Sequence, residues 1–475
     1  MPDTLRIALA QTNPRMAAIE ANVARLRALR AQAAAQGADL LLTPEHSLSG
    51  AVPAALAADP GFATACEAAL ASLAAEHGPA LVAGTPWQDG PRLHDAIALL
   101  ESGTIRARRA AHDPRPGFDP GPAPGPIAFR GARLGLMPGR DWRNPATPET
   151  LAETGADLLV ALDSLPYEAG GEERILQAAL ARVVENGLPL ILLNRLGAEE
   201  EAAHDGGALI LNADRSPALR LPPFAESLTL TEWTRAGDTW HCIPVPPAPA
   251  MPPTEQLWRA LLLALRDHAE RHAPDAILLP LSADPDAALA AVLAADAFPA
   301  AALRAVLLEQ DAEPLARQLG LTATPLDLVP AVQALATALP QAASQLAPRL
   351  RRLAIDALAE ATNALPLVTG PSNAPSAFAP LRHLSPAQRR ALATWRNAHR
   401  PAGLHGPETP SLPLPPGGPA QPAEQHSRLT PWQSLARADY KRRELPPGLN
   451  PAPRAFGQAQ EQPMGHPNPQ EAPAP

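Results

Sequence analysis

Ten consecutive residues near the middle of the chain, Pro244–Pro253 (PVPPAPAMPP), contain six prolines. A proline has no backbone N–H to donate and a fixed φ, so this stretch joins neither a helix interior nor a sheet ladder. It reads as a linker, and it forces the 475-residue chain to fold as separate halves, each long enough for its own core. The boundaries expected on this basis are a first domain over 1–243, the linker over 244–253, a second domain over 254–400 and a tail over 401–475. The tail is rich in Pro, Gly, Gln and His and reads as largely irregular, apart from one helical piece at Trp432 to Arg443.

Apolar periodicity supplies the elements. In the first half, strands are expected at Leu5 to Ala10, Ala38 to Thr43, Ala80 to Gly84, Ala96 to Leu100, Arg133 to Met137, Leu158 to Leu162, Leu190 to Asn194 and Ala208 to Asn212. Amphipathic helices cover Ala17 to Ala35 and Glu173 to Glu185, the second stopped by Asn186-Gly187. Strands at hairpin spacing imply antiparallel pairing within mixed sheets, hence a layered α/β sandwich. After the linker come helix 255–271, strand Ala276 to Leu281, helix 285–297, strand Leu303 to Leu308, helix 311–319, paired helices between 330 and 363, and strand Leu365 to Thr369. That βα series predicts a doubly wound parallel sheet.

The charge balance excludes one class of partner. With 39 Lys+Arg against 48 Asp+Glu the net charge is −9, and without a basic run no face for nucleic acid is expected. No apolar run approaches the roughly 18 residues a membrane-spanning helix needs, so no membrane partner is expected either. Cys66 and Cys242 are too few for a disulfide framework, which with the lack of a signal-like start points to the cytoplasm. The chain has one lysine, Lys441. No metal site is read from the sequence: His268 and His272 are four apart in RDHAERH, but two ligands without a third define none, and they read as a solvated helix face.

The order of the motifs carries more. LRIALAQTNP, GADLLLTPEHSLSG, PGPAPGPIAFRGARLGLMPGRDW and ARVVENGLPLILLNRLG resemble, in that order, the nitrilase-like glutaminase domain of glutamine-dependent NAD+ synthetases. Beyond the linker, ILLPLSADPDAAL, RLRRLAIDALAEATNALPLVTGPSNA, FAPLRHLSPAQRRALATWRNA, ADYKRRELPPG and RAFG are similar to the synthetase domain of the same enzymes. The resemblance implies a nitrilase-like αββα sandwich followed by a doubly wound domain like that of the adenine-nucleotide alpha-hydrolases. The reaction it implies is ATP-dependent amidation of deamido-NAD+ with ammonia taken from glutamine.

The resemblance also implies sites, and the residues in them are altered. The family's glutaminase uses a cysteine nucleophile, a glutamate base and a lysine that holds the developing oxyanion, a division of labour with a general physical basis. Glu45 stands at the glutamate, but Ala111 matches the lysine and Gly139 the cysteine, flanked by Pro138 and by Arg140 where the family carries an acid. Leu165 and Gly171 replace a hydroxyl and an amine of the glutamine pocket. Cys66, in a helical pattern, and Cys242, at the end of a strand-like one, read as small buried residues rather than substitutes.

In the second domain the family's loop Ser-Gly-Gly-x-Asp-Ser wraps the pyrophosphate of ATP with backbone N–H groups. Here it is Ser282-Ala283-Asp284-Pro285-Asp286-Ala287, in which Asp284 reads as the cap of the following helix. Ser282, Asp286 and Thr369 are remnants of the ATP site, and Lys441 keeps a position expected to touch deamido-NAD. Thr369-Gly370 is followed by Pro371-Ser372-Asn373-Ala374 in place of Asn-Lys-Ser-Glu. The expectation is a homologue with its fold kept and both sites lost, needing no cofactor and acting in binding or assembly, as a homo-oligomer or as a hetero-oligomer with an active NAD+ synthetase. The alternative is a working enzyme using ATP and Mg.

Overall fold

The structure is a computed structural model that describes residues 4–199, 202–237, 239–370 and 372–414. It contains two compact units, divided between Met251 and Pro252, with the excursion Ala198–Ala203 grouped with the second.

The first unit is built from two sheets. One has seven strands in the order Thr239–Cys242, Ser227–Ala236, Thr4–Gln11, Leu40–Leu42, Ala80–Asp89, Arg92–Glu101 and Thr104–Ala110. The other has six, in the order Pro217–Arg220, Leu209–Leu211, Leu190–Asn194, Leu158–Asp163, Ala132–Pro138 and Ile127–Phe129. Strand alternation explains the layering. In the first strand Leu5, Ile7 and Leu9 face inward and meet Leu134, Leu136, Val160, Leu162 and Ile191 of the other sheet. The intervening Ala8 and Ala10 face outward, where their small side chains admit helices Ile19–Ala35 and Pro60–Ala74. On the far side, Met137, Leu159 and Leu192 carry helices Ala146–Glu153 and Glu172–Asn186. The result is an α-β-β-α sandwich, with the polypeptide turning at the carboxyl ends of Leu40–Leu42, Ala132–Pro138 and Leu158–Asp163 to build one site.

The second unit holds a four-stranded parallel sheet in the order Ala323–Pro325, Leu303–Leu307, Ala276–Leu281, Ala364–Pro366. The chain winds outward over three strands and returns to the other side of the first, which creates a switch point beside Ala276–Leu281. Several boundaries differ from the sequence reading. The first helix spans Pro253–His272 and takes the last linker residue as its opening, a position for which a fixed φ and a missing N–H are well suited. The last strand stops at Pro366, because Val368 N–H turns away to the Phe378 carbonyl, so Thr369 lies past the strand and exposed.

His268 is not on a solvated face. It is buried, donates from Nε2 to the Ser376 carbonyl at 3.0 Å and packs its ring on Phe378, which holds it neutral with a pKa pushed down by burial to about 4. Residues 401–414 are also packed rather than a free tail. Leu404 and Leu412 are buried, and Arg396, itself fully buried, grips both oxygens of Asp296 at 2.7 and 2.8 Å and the carbonyls of Pro407 and Glu408.

Candidate active site

Glu45 enters the site on a tight turn. Its neighbour His46 has φ +55°, and Gly84 allows the turn to lie against the sheet, since a Cβ there would stand 2.3 Å from His46 N. The Glu45 carboxylate is completely buried, and Arg115 Nη2 donates to its Oε2 at 2.6 Å. Burial pushes the Glu45 pKa up, and Arg115 opposes that shift. Across from it, Asp95 of strand Arg92–Glu101 is buried 3.5 Å from His46 Nε2. Burial alone disfavours a charged ring at His46, but the adjacent Asp95 and Glu45 outweigh it and hold its pKa above the ordinary value. Asp95 has the reverse balance: burial would raise its pKa, and His46 brings it below the normal range.

Gly139 lies at the end of strand Ala132–Pro138 and faces this group. Its φ is +54°, and a Cβ added there would stand 2.5 Å from Glu45 Oε1 and 3.8 Å from Asp95 Oδ2. Ala111 is buried with its N–H donated to the Asp95 carbonyl, so it is next to the site and offers it only a methyl group.

The fold thus brings Glu45, Ala111 and Gly139 together, and of the three only Glu45 brings a functional side chain. Cys66 and Cys242 are both buried, and burial pushes their pKa values up to about 11 and about 12.

Sequence reasoning missed Arg115, His46 and Asp95. Arg115 lies four residues beyond Ala111 in HDPRPG, an irregular stretch with no motif to single it out. It also donates to the Ser164 carbonyl at 3.1 Å and stands 3.9 Å from Asp163, so a cation does reach Glu45, from a different point in the chain than Ala111. Arg140 braces that loop through the Pro114 carbonyl at 2.9 Å.

In the second unit, Ser282, Asp286 and Thr369 are placed around the switch point. Ser282 and Thr369 line a cavity of about 510 Å³ together with Asp284, Arg349, Arg352 and Asp356. Three backbone donors of the loop are taken. Ala283 N–H donates to Glu309 Oε2 at 3.1 Å, Asp284 N–H to Ser282 Oγ at 3.3 Å, and Asp286 N–H to Asp284 Oδ1 at 3.0 Å, which makes Asp284 the helix cap. Asp286 is paired with Arg389. Lys441 lies outside the described residues.

Comparison with known proteins agrees with this architecture. Residues 6–236 match the carbon-nitrogen hydrolase family. Over 442 residues the chain is 32% identical to the glutamine-dependent NAD(+) synthetase of Rhodobacter capsulatus, covering 84% of this chain and 80% of that protein. The enzyme of the same name from Xylella fastidiosa (strain 9a5c) is 26% identical over 92% of this chain and 87% of its own length. Among solved structures, the glutamine-dependent NAD+ synthetase of Acinetobacter baumannii superposes with a TM-score of 0.78 over 86% of this chain and 84% of that one; at 23% identity the likeness is one of fold. No helix among the described residues is long and apolar enough to cross a membrane. With its sandwich, its parallel second sheet and this similarity along most of its length, the chain belongs to the glutamine-dependent NAD(+) synthetase family.

Proposed function

We propose that the chain is a member of this family that is catalytically inactive at both sites, needs neither ATP nor Mg, and acts in the cytoplasm as a binding or assembly partner, either with itself or with an active NAD+ synthetase. The observation that carries this reading is Gly139. The position of the nucleophile has no side chain, and Glu45 Oε1 stands where a Cβ would need room. The three occupied donors in the 282–287 loop support the same reading for ATP, because Glu309 places a carboxylate on an N–H that a phosphate oxygen would require. Loss of a nucleophile removes on the order of 10⁶ in turnover in a comparable hydrolase. The test is ammonia release from glutamine and AMP release from ATP by the purified chain, with light scattering alone and in the presence of an active family member. Glutamine-dependent AMP release would overturn the reading, as would a monomer in every mixture for the assembly role.

One observation favours a second reading, a working synthetase that uses ATP and Mg. The cavity at the switch point persists, with Arg349, Arg351 and Arg352 along one wall. Calorimetric titration with Mg-ATP separates the two, since saturable binding abolished by Arg352→Ala belongs to the second reading alone.

A further inference from the structure

Three buried carboxylate oxygens in the first unit accept no hydrogen bond: Glu45 Oε1, Asp95 Oδ1 and Asp95 Oδ2. Their residues are 0% and 1% exposed, so water does not reach them from outside. An unsatisfied buried carboxylate oxygen is expensive, and three in one place call for an occupant. His46, 2% exposed, directs Nε2 between them, at 3.5 Å from Asp95 Oδ2 and 3.8 Å from Glu45 Oε1. Both separations are longer than a good hydrogen bond, which is about 2.7–3.2 Å. They are close to the edges of a tetrahedron around one ion, about 3.3–3.6 Å when each bond is about 2.0–2.2 Å.

We propose that Glu45, His46 and Asp95 bind a single divalent transition-metal ion, with zinc the best fit. The candidate ligand atoms all lie within 4.8 Å of one another. One imidazole and two carboxylates suit zinc, whereas calcium and magnesium take oxygen ligands in larger number. The supporting contacts are those a metal site needs. Ser49 Oγ donates to the Gly50 carbonyl at 2.8 Å and lies 3.5 Å from His46 Nδ1, so it borders the ring at the nitrogen remote from the carboxylates. Arg115 holds the other oxygen of Glu45, fixing Oε1 toward His46. The charges agree as well, because Arg115 offsets one of the two carboxylates and a divalent ion more than offsets the other. Gly139 adds no side chain on that side, where a Cβ would stand 2.5 Å from Glu45 Oε1 and 3.8 Å from Asp95 Oδ2, so the ion is held by the three side chains alone. The sequence suggested no such site, since Asp95 is 49 residues from His46.

The proposal does not depend on whether the chain hydrolyses glutamine, and its test reads metal. The full chain, stripped with a chelator, is titrated with cobalt(II) and then zinc(II), following the visible bands of four-coordinate cobalt and measuring bound metal after dialysis. One equivalent per chain is expected, with cobalt displaced by zinc. Asp95→Asn and His46→Gln, each near the size of the original residue, are expected to weaken binding at least ~10–100-fold, and Ser49→Ala by ~10-fold, with near-ultraviolet circular dichroism unchanged. Ser49→Ala leaves every ligand in place, so it remains informative if a ligand variant does not fold. No bound equivalent, or equal binding by the folded variants, would overturn the assignment and put any metal on other histidines.

Discussion

The α-carbon of Gly139 faces Oε1 of Glu45 so closely that a side chain cannot be added between them: a Cβ would lie 2.5 Å from the oxygen, at a backbone φ of +54° that favours glycine. The turn carrying Gly139 and the turn carrying Glu45 lie against each other. Gly139→Cys is therefore expected not to restore glutamine hydrolysis, and to cost about 1–3 kcal/mol through crowding and backbone strain. Ammonia release and a denaturant melt of the variant check both halves of this statement.

Arg115 neutralises a carboxylate that has no access to solvent, and it is itself one-third exposed. Arg115→Ala is expected to destabilise the first unit by about 2 kcal/mol, since the remaining charge is left without its donor. Adding Glu45→Gln should recover much of that loss, a coupling readable in a double-mutant cycle.

His268 gives the second unit a pH dependence with a definite sign. Its pKa is about 4 in the folded chain against about 6.5 when unfolded. The unfolded state thus binds the extra proton first, and the histidine's contribution is fully present above about pH 6.5 and lost as the pH falls toward 4. The ceiling is about 3 kcal/mol. Urea melts across this window should show a smaller dependence in His268→Gln, which keeps a donor for the Ser376 carbonyl.

Gly406 is required for a different reason from Gly139. A Cβ there would meet Asp296 Oδ1 at 2.1 Å and push it off Arg396. Gly406→Ala is expected to lower the stability of the second unit by about 3 kcal/mol, as breaking a fully buried ion pair does. Differential scanning calorimetry should show the change in that unit's transition alone.

Much of the architecture was legible because side-chain periodicity reports burial directly. Ile7 and Leu9 alternating with Ala8 and Ala10 already describe a strand with a large-residue core on one face and helices on the other. The strand Ser227–Ala236 was not read from the sequence, because its mostly exposed and half-buried residues carry little apolar pattern. The site was legible only where it had a linear signature. Glu45, Ala111 and Gly139 could be located from their surrounding motifs, but the approach of Asp95 to His46 depends on strand register, and that of Arg115 to Glu45 on the path of an irregular loop. Neither leaves a trace in local composition.

The grip of Arg396 on Asp296 and on the carbonyls of Pro407 and Glu408 decides where the polypeptide can be shortened. Composition alone would place the cut near residue 400. Yet the segment through Leu412 closes over the guanidinium, and Asn397 exchanges two hydrogen bonds with the backbone of Leu412 at 2.8 and 3.1 Å. A stop codon at 401 would open a buried charge to water, whereas one after 414 keeps every one of these contacts. The first dozen or so residues of this proline-rich segment are therefore held to the same exacting standard as a helix.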